Sequence, residues 1–428
     1  MSLAAELPEP STVEARGFVR GLVWGRDYLT ESLRELWVRP PHQVFALDGL
    51  RALAILLVLC AHFFGDFWSA HVRGSLPSMA HWAPFNWGWT GVDLFFVLSG
   101  YLIGKQLWRE RLSTGTVRFV PFILRRGLRI WPLFFAMLVY YSLFGPIHPK
   151  IWDYAFLTNF ARGKRGFDDA WSLSTEEQFY IIVPLVIIVS AKLRWAWIYY
   201  VGIVTAVVVE WGLRIVIARR LSASGLSGDE LLQMMHYPIF LHCDALLAGL
   251  AIALLSLQYP KRFKPEAQAG VSGLGLFIFV LMFVAAILLR NANKMIFSFT
   301  SLGLIYGSLT LWMLWDRSRL SSIARWRIWY PVSRLSYGMY LNNYSILPSI
   351  TLLAFSTVRR QTGSVRLAST VGVLVGIGVS MAVATVTFVV VERPFLILRD
   401  RILNKKVHMH AEAGVPDASR PELLPSHA

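Results

Sequence analysis

An arginine and a histidine stand eleven residues apart in DGLRALAILLVLCAHFF, residues 48–64, at Arg51 and His62. On a helix that separation turns through about 1100°, roughly 20° past three full turns, so both side chains share one face, about 16 Å apart along the axis. Apolar residues fill the interval, and the stretch reads as a membrane helix with a guanidinium at its head and an imidazole inside. A guanidinium suits phosphate or carboxylate oxygens in a two-pronged grip. An imidazole with an ordinary pKa of about 6.5 accepts protons near neutrality. Asp48 precedes Arg51 by three residues and Asp66 follows His62 by four, so each has a carboxylate within helical reach. Taken singly, the arginine also reads as a topology anchor and the histidine as a hydrogen-bonded structural group. Polar residues at a helix centre cost roughly 2.5–3.5 kcal/mol on insertion, which favours a use for them.

Other costly residues recur. GWTGVDLFFVLSGYLIG sets Asp93 near the start of a second span, and FILRRGLRIWPLFF sets Arg125, Arg126 and Arg129 at the start of a third. Arg125 and Arg129 are one turn apart and can clamp one polyanion, or the cluster marks a cytoplasmic face. In DDAWSLSTEEQFYIIVPL, Ser174 and Glu177 fit a capping box, which leaves Glu176 for other work. Asp244 and Glu392 are further acids in or beside spans, Glu392 reading as a local ion pair with its neighbour Arg393. Cys60 points about 160° away from His62 on a helix, so a covalent acyl-cysteine beside that base is the weaker geometry. No phosphate-binding loop, hydrolase elbow or zincin helix is present. An enzyme built from this chain takes an intramembrane histidine as its proton acceptor.

These residues need a scaffold that holds them in an apolar medium. The 428 residues are 55% hydrophobic and only 16% charged, and several apolar runs approach bilayer length. The fold class is therefore all-α, a polytopic membrane bundle of about ten transmembrane helices. The spans fall near 45–67, 89–108, 122–144, 171–191, 195–217, 233–257, 271–290, 296–315, 334–356 and 368–395. Residues 1–43 form an N-terminal arm of mixed amphipathic character, and residues 401–428 a disordered tail. Dense basic runs at Lys105–Arg129, Lys261–Lys264, Arg317–Arg334 and Arg393–Lys406 place both termini in the cytoplasm. The net charge of +16 then reflects this bias and attraction to anionic membrane lipids, with no nucleic-acid partner. Cys60 and Cys243 give no disulfide framework or metal spacing. The polar first 40 residues predict no cleavable leader.

Four stretches together carry a resemblance: DGLRALAILLVLCAH, with Arg51 and His62; GVDLFFVLSGYLI; RRGLRIWPL, an R-x-x-R on Arg126 and Arg129; and WSLSTEEQFY, with Glu176. Over residues 44–400 the chain resembles the acyltransferase family 3 membrane proteins, which include bacterial O-antigen acetylases and sugar and macrolide acyltransferases. LSYGMYLNN and VERPF agree with that family's last two helices. Where the family often has a histidine after the S-Y-x-x-Y-L stretch, this chain has Asn342 and Asn343, amides able to hold a substrate hydroxyl. No hydrolase-like domain is expected after the last span.

The resemblance implies an acyl-CoA co-substrate, commonly acetyl-CoA, reaching the protein from the cytoplasm, a carbohydrate or glycosylated acceptor, and no metal. Arg51, Arg125, Arg126 and Arg129 are then expected to hold the coenzyme phosphates, with Arg51 and Glu176 joining His62 in the catalytic group. His62 takes the proton of the acceptor hydroxyl, Asp66 orients the imidazole, and Asp93, Asp66 and Asn343 contact substrate. Such an enzyme belongs to the inner membrane of a bacterium and to modification of its envelope polysaccharides. A transporter or flippase of a polar or lipid-linked sugar needs the same buried charges and stands as the alternative.

Overall fold

A computed structural model describes residues 12–40, 44–67, 88–145, 148–161, 166–167, 170–190, 196–222, 234–260, 278, 281–282, 298–315, 319–343 and 347–412. Among them every regular element is helical. The chain forms two compact units, Met1–Gln43 and Val44–Ala428. The first holds helix α1, Thr12–Trp37.

The second unit begins with α2 (Phe45–Phe67), α3 (Gly91–Thr114), α4 (Phe119–Phe144) and the single turn α5 (Ile151–Tyr154). It continues with α6 (Ala170–Val189), α7 (Ala196–Ser222), α8 (Asp244–Gln258), α9 (Ser298–Trp315) and α10 (Arg319–Ile323). The C-terminal part is α11 (Trp329–Asn342), α12 (Leu347–Thr362), α13 (Val365–Thr387), a π-helical turn (Phe388–Glu392) and α14 (Arg393–Glu412). Five stretches among the described residues are long and apolar enough to cross a membrane: Phe45–Phe63, Phe119–Phe144, Ala170–Val189, Trp197–Leu221 and Val365–Leu403. Pro132 in α4 and Pro184 in α6 sit inside such helices, where packed neighbours tolerate a missing N–H.

The expected count of about ten spans is not reached among these residues, and the differences are local. The span expected at 271–290 lies outside the described residues except for 278 and 281–282. The one expected at 334–356 is two helices, α11 and α12, with the first ending at Asn342. Asparagine amides compete with the backbone for hydrogen bonds, which favours a helix end there. The span expected at 233–257 is broken: residues 234–236 are helical, a 3-10 turn follows at Ile239–Leu241, and the long helix begins at Asp244. Side chains of α7 satisfy the irregular backbone: Arg214 Nε donates to Leu241 O at 2.8 Å, and Cys243 N donates to Glu210 Oε1 at 3.1 Å. Arg214 also pairs with Asp244, and with Glu210 at 3.1 Å. Broken backbone in a membrane is stable only where protein groups supply its missing bonds. The tail expected to be disordered from residue 401 instead continues α14 to Glu412, because ILRDRILNKK consists mostly of good helix formers.

Two contacts fix the frame around the site. Ser333 Oγ donates to Asp48 Oδ1 at 3.2 Å, and His62 Nδ1 lies 3.0 Å from Asn343 Oδ1. Helices α2 and α11 therefore run side by side in parallel. Elsewhere α3 and α8 approach backbone to backbone through reciprocal glycines. A Cβ on Gly100 would collide with the Leu246 carbonyl, and one on Gly249 with the Val97 carbonyl. Small residues at crossings allow the close van der Waals packing that joins helices in lipid. Gly249→Val is expected to lower the thermal midpoint of detergent-purified protein by several degrees or abolish its folding. Gly202→Val, at a position with nothing within 4 Å of the added atom, leaves it near wild type.

Candidate active site

Basic residues from α2 and α4 meet at one cavity of about 140 Å³. Arg51, Arg126 and Arg129 line it, together with Arg334 from α11. Glu176 of α6 and Glu392 of the π-helical turn are also in the wall. Arg126 Nη2 donates to Gln106 Oε1 at 3.3 Å, and its guanidinium lies 5.7 Å from the Tyr180 ring centre. That of Arg334 lies 5.1 Å from the Phe388 ring centre. Among the described residues no carboxylate lies within 4 Å of Arg51, Arg126, Arg129 or Arg334. The wall holds four guanidinium groups and two carboxylates, and the buried carboxylate of Asp48 also acts on Arg51. Partly buried cations that lack paired anions lose hydration without regaining it from a partner. The donor set therefore fits a ligand with several phosphate oxygens, which forked N–H groups grip in pairs.

Glu176 is held by hydroxyls. Ser99 Oγ donates to Oε1 at 2.5 Å, and Tyr180 OH donates to Oε2 at 3.1 Å. Farther along the wall, the Ser172 and Tyr340 hydroxyls pair at 2.6 Å. Tyr340 is one turn before Asn343, and Asn343 Nδ2 donates to the Tyr340 carbonyl at 2.8 Å. Cavity wall, Tyr340, Asn343 and His62 thus form a connected series. His62 itself is not in the lining of this cavity and meets Asn343 beyond it.

Several expected placements differ. Arg125 does not join Arg129 in the cavity. It turns to Glu110 at the end of α3, 3.8 Å away, where Arg118 also binds at 2.9 Å. The pull of that carboxylate outweighs the favourable spacing on α4. Asp93 is fully buried and faces away from the cavity, with its Oδ1 2.9 Å from His242 Nε2. The other ring nitrogen of His242 meets the His236 carbonyl at 2.7 Å, so this imidazole is committed on both sides. Ser174 is not a helix cap, because α6 already begins at Ala170, and its hydroxyl donates to the Ala170 carbonyl at 2.8 Å. Glu177 instead accepts from Trp131 Nε1 at 2.9 Å. No ion pair between Glu392 and Arg393 is found among the described residues, since helical neighbours point about 100° apart, and Glu392, at the end of the π-helical turn, lines the cavity. Asp66 is on the last turn of α2, and its side chain is outside the described residues. Cys60 is a free, partly buried thiol. Among the described residues no group of three or more His, Cys, Asp or Glu side chains could hold a metal ion.

Residues missed from the sequence are Arg334, Glu392 as a cavity group, and His242. Arg334 stands directly before LSYGMYLNN and Glu392 within VERPF, so both motifs held the signal. His242 has no local pattern that could reveal it, since its partner Asp93 is far away in the chain.

Residues 44–389 match the family model described as an acyltransferase domain, and the chain belongs to that family. It is 27% identical over 343 residues to the peptidoglycan O-acetyltransferase OatA of Listeria monocytogenes, covering 72% of this chain and 50% of that protein. It is 22% identical to a putative O-acetyltransferase of Staphylococcus aureus, over 70% of this chain and 50% of the relative. A putative peptidoglycan O-acetyltransferase of Bacillus subtilis, YrhL, is 32% identical over 169 residues, 34% of this chain and 24% of that one. The chain spans about half the length of the first two of these curated relatives. No solved structure matches it.

The cavity separates its arginines from their neighbour. With coenzyme A as a phosphate-bearing probe, Arg129→Gln and Arg334→Gln are each expected to weaken binding by about tenfold or more, measured by isothermal titration on nanodisc-embedded protein. Arg125→Gln, held by Glu110, shifts it less than threefold.

Proposed function

We propose that this chain is an integral membrane O-acetyltransferase that moves an acetyl group from cytoplasmic acetyl-CoA to a hydroxyl of an envelope carbohydrate, peptidoglycan being the acceptor class named for its relatives. The observation that carries this reading is the cavity with four guanidinium groups and no carboxylate paired to them within 4 Å. Coenzyme A offers such a site a diphosphate and a further phosphate at one end and a thioester at the end of a long thin arm.

In this scheme Arg51, Arg126, Arg129 and Arg334 hold the phosphates at the cytoplasmic end of α2 and α4. The arm runs outward along the wall that Ser99, Glu176 and Tyr180 keep in order, toward the Ser172–Tyr340 pair. The distance to cover is the roughly 16 Å that separates Arg51 from His62 along α2. At the far end His62 takes the proton from the acceptor hydroxyl as its oxygen attacks the thioester carbonyl. The carbon–sulfur bond then breaks, and the proton passes from the imidazole to the departing thiolate, leaving acetylated acceptor and free coenzyme. Both substrates meet at one base, so no acyl-enzyme is required. Asp93, locked to His242, supports the wall behind Phe96 in this scheme and does not touch the acceptor.

Purified full-length protein given acetyl-CoA and soluble peptidoglycan fragments is expected to release free thiol only when the fragments are present. His62→Ala is expected to lower that rate by about 100-fold or more while the protein stays monodisperse. Binding of the fragments with no thiol release would point to a carrier, and normal transfer by His62→Ala would remove the base from the scheme.

A further inference from the structure

We propose that Asn343 is the positioning residue that keeps the ring proton of His62 on Nδ1 and so presents Nε2 as the basic nitrogen. This rests on the reading of His62 as proton acceptor and adds to it which nitrogen acts and what fixes the choice.

Asn343 is buried and follows the last residue of α11. Its amide is oriented by a group that can only accept. The Tyr340 carbonyl lies 2.8 Å from Nδ2, so the amide nitrogen must face it. That leaves Oδ1 toward His62, where Nδ1 is 3.0 Å away. A carboxamide oxygen also only accepts, so the hydrogen bond requires a proton on Nδ1. In a neutral imidazole the lone pair is then on Nε2. The series runs from a backbone carbonyl, which has no alternative role, to a ring that otherwise has two tautomers.

The neighbouring residue keeps this helix end from rotating. Asn342 Nδ2 donates to the Ser380 carbonyl at 3.2 Å, and Ser380 Oγ donates to Asn342 Oδ1 at 2.8 Å. The two adjacent asparagines therefore divide the work: Asn342 ties α11 to α13, and Asn343 turns to α2.

The arrangement also acts during transfer. When Nε2 takes the hydroxyl proton, the ring becomes an imidazolium, and its Nδ1–H donates more strongly to the fixed amide oxygen. The same bond weakens again when Nε2–H passes its proton to the thiolate. Asn343 thus contributes more to the charged state than to the resting one, so its loss falls on kcat and not on the binding of acetyl-CoA.

The test compares Asn343→Leu, which removes the acceptor, with Asn343→Asp, which keeps an oxygen at the same place. Acceptor-dependent thiol release from acetyl-CoA is measured on the full chain, with His62→Ala and the thermal midpoint in parallel. Asn343→Leu is expected to lower kcat by about tenfold or more with KM for acetyl-CoA within twofold, and Asn343→Asp to recover most of the loss. Wild-type kcat in Asn343→Leu, a loss in Asn343→Asp as deep as in the leucine variant, or an effect confined to KM would each overturn the assignment. If the leucine variant does not fold, Asn343→Asp decides alone: kcat within about threefold of wild type supports it, and a deeper loss overturns it. Normal transfer by His62→Ala would fail the broader reading, whereas an inactive His62→Ala beside a normal Asn343→Leu fails only this one.

Discussion

Four guanidinium groups facing one small cavity repel one another, and no carboxylate approaches any of them within 4 Å among the described residues. In a medium of low dielectric that repulsion is not screened away. The protein accepts it by spreading the four over three helices, α2, α4 and α11, each anchored elsewhere. Stacking on Tyr180 and Phe388 steadies two of the groups without neutralising them. Glu176 and Glu392 temper the field from the wall, the first already occupied by two hydroxyls. What results is a strongly basic cavity wall shared by three helices.

The parallel pair α2 and α11 carries most of that burden. One helix brings Arg51 and His62, the other Arg334, Tyr340 and Asn343, and two hydrogen bonds at their opposite ends set the register. The arginine-lined cavity wall and the His62–Asn343 contact are thereby held in one register. The end of α11 at Asn342 serves the same purpose. Asn343, the first residue past that helix, turns its amide nitrogen to the Tyr340 carbonyl and its amide oxygen to His62. The second broken region, before α8, is satisfied by Glu210 and Arg214, so the membrane charges of α7 read as structural supports for irregular backbone.

The sequence carried much of the site and less of the fold. Arg51, Arg126, Arg129 and Glu176 are legible because short-range spacing and motif both mark them, and all four reach one cavity. Arg125 was indistinguishable from its neighbours by spacing, since what turns it aside is Glu110, a residue on another helix. Glu392 was misread because adjacency in the chain suggested a pair with Arg393, whereas neighbours on a helix point about 100° apart. Hydropathy counted spans but could not see that 334–356 breaks at an asparagine pair, because window averages smooth over two polar residues. The Asp93–His242 pair joins positions remote in the chain, which no periodicity can reveal.

The most direct measurement is a cryo-electron microscopy structure of the nanodisc-embedded protein with a non-hydrolysable acetyl-CoA analogue. The account predicts the coenzyme phosphates among Arg51, Arg126, Arg129 and Arg334, with the acyl carbonyl close enough to His62 Nε2 for one hydroxyl to bridge them. Phosphates bound away from those arginines, or a reactive end turned from His62, would contradict it.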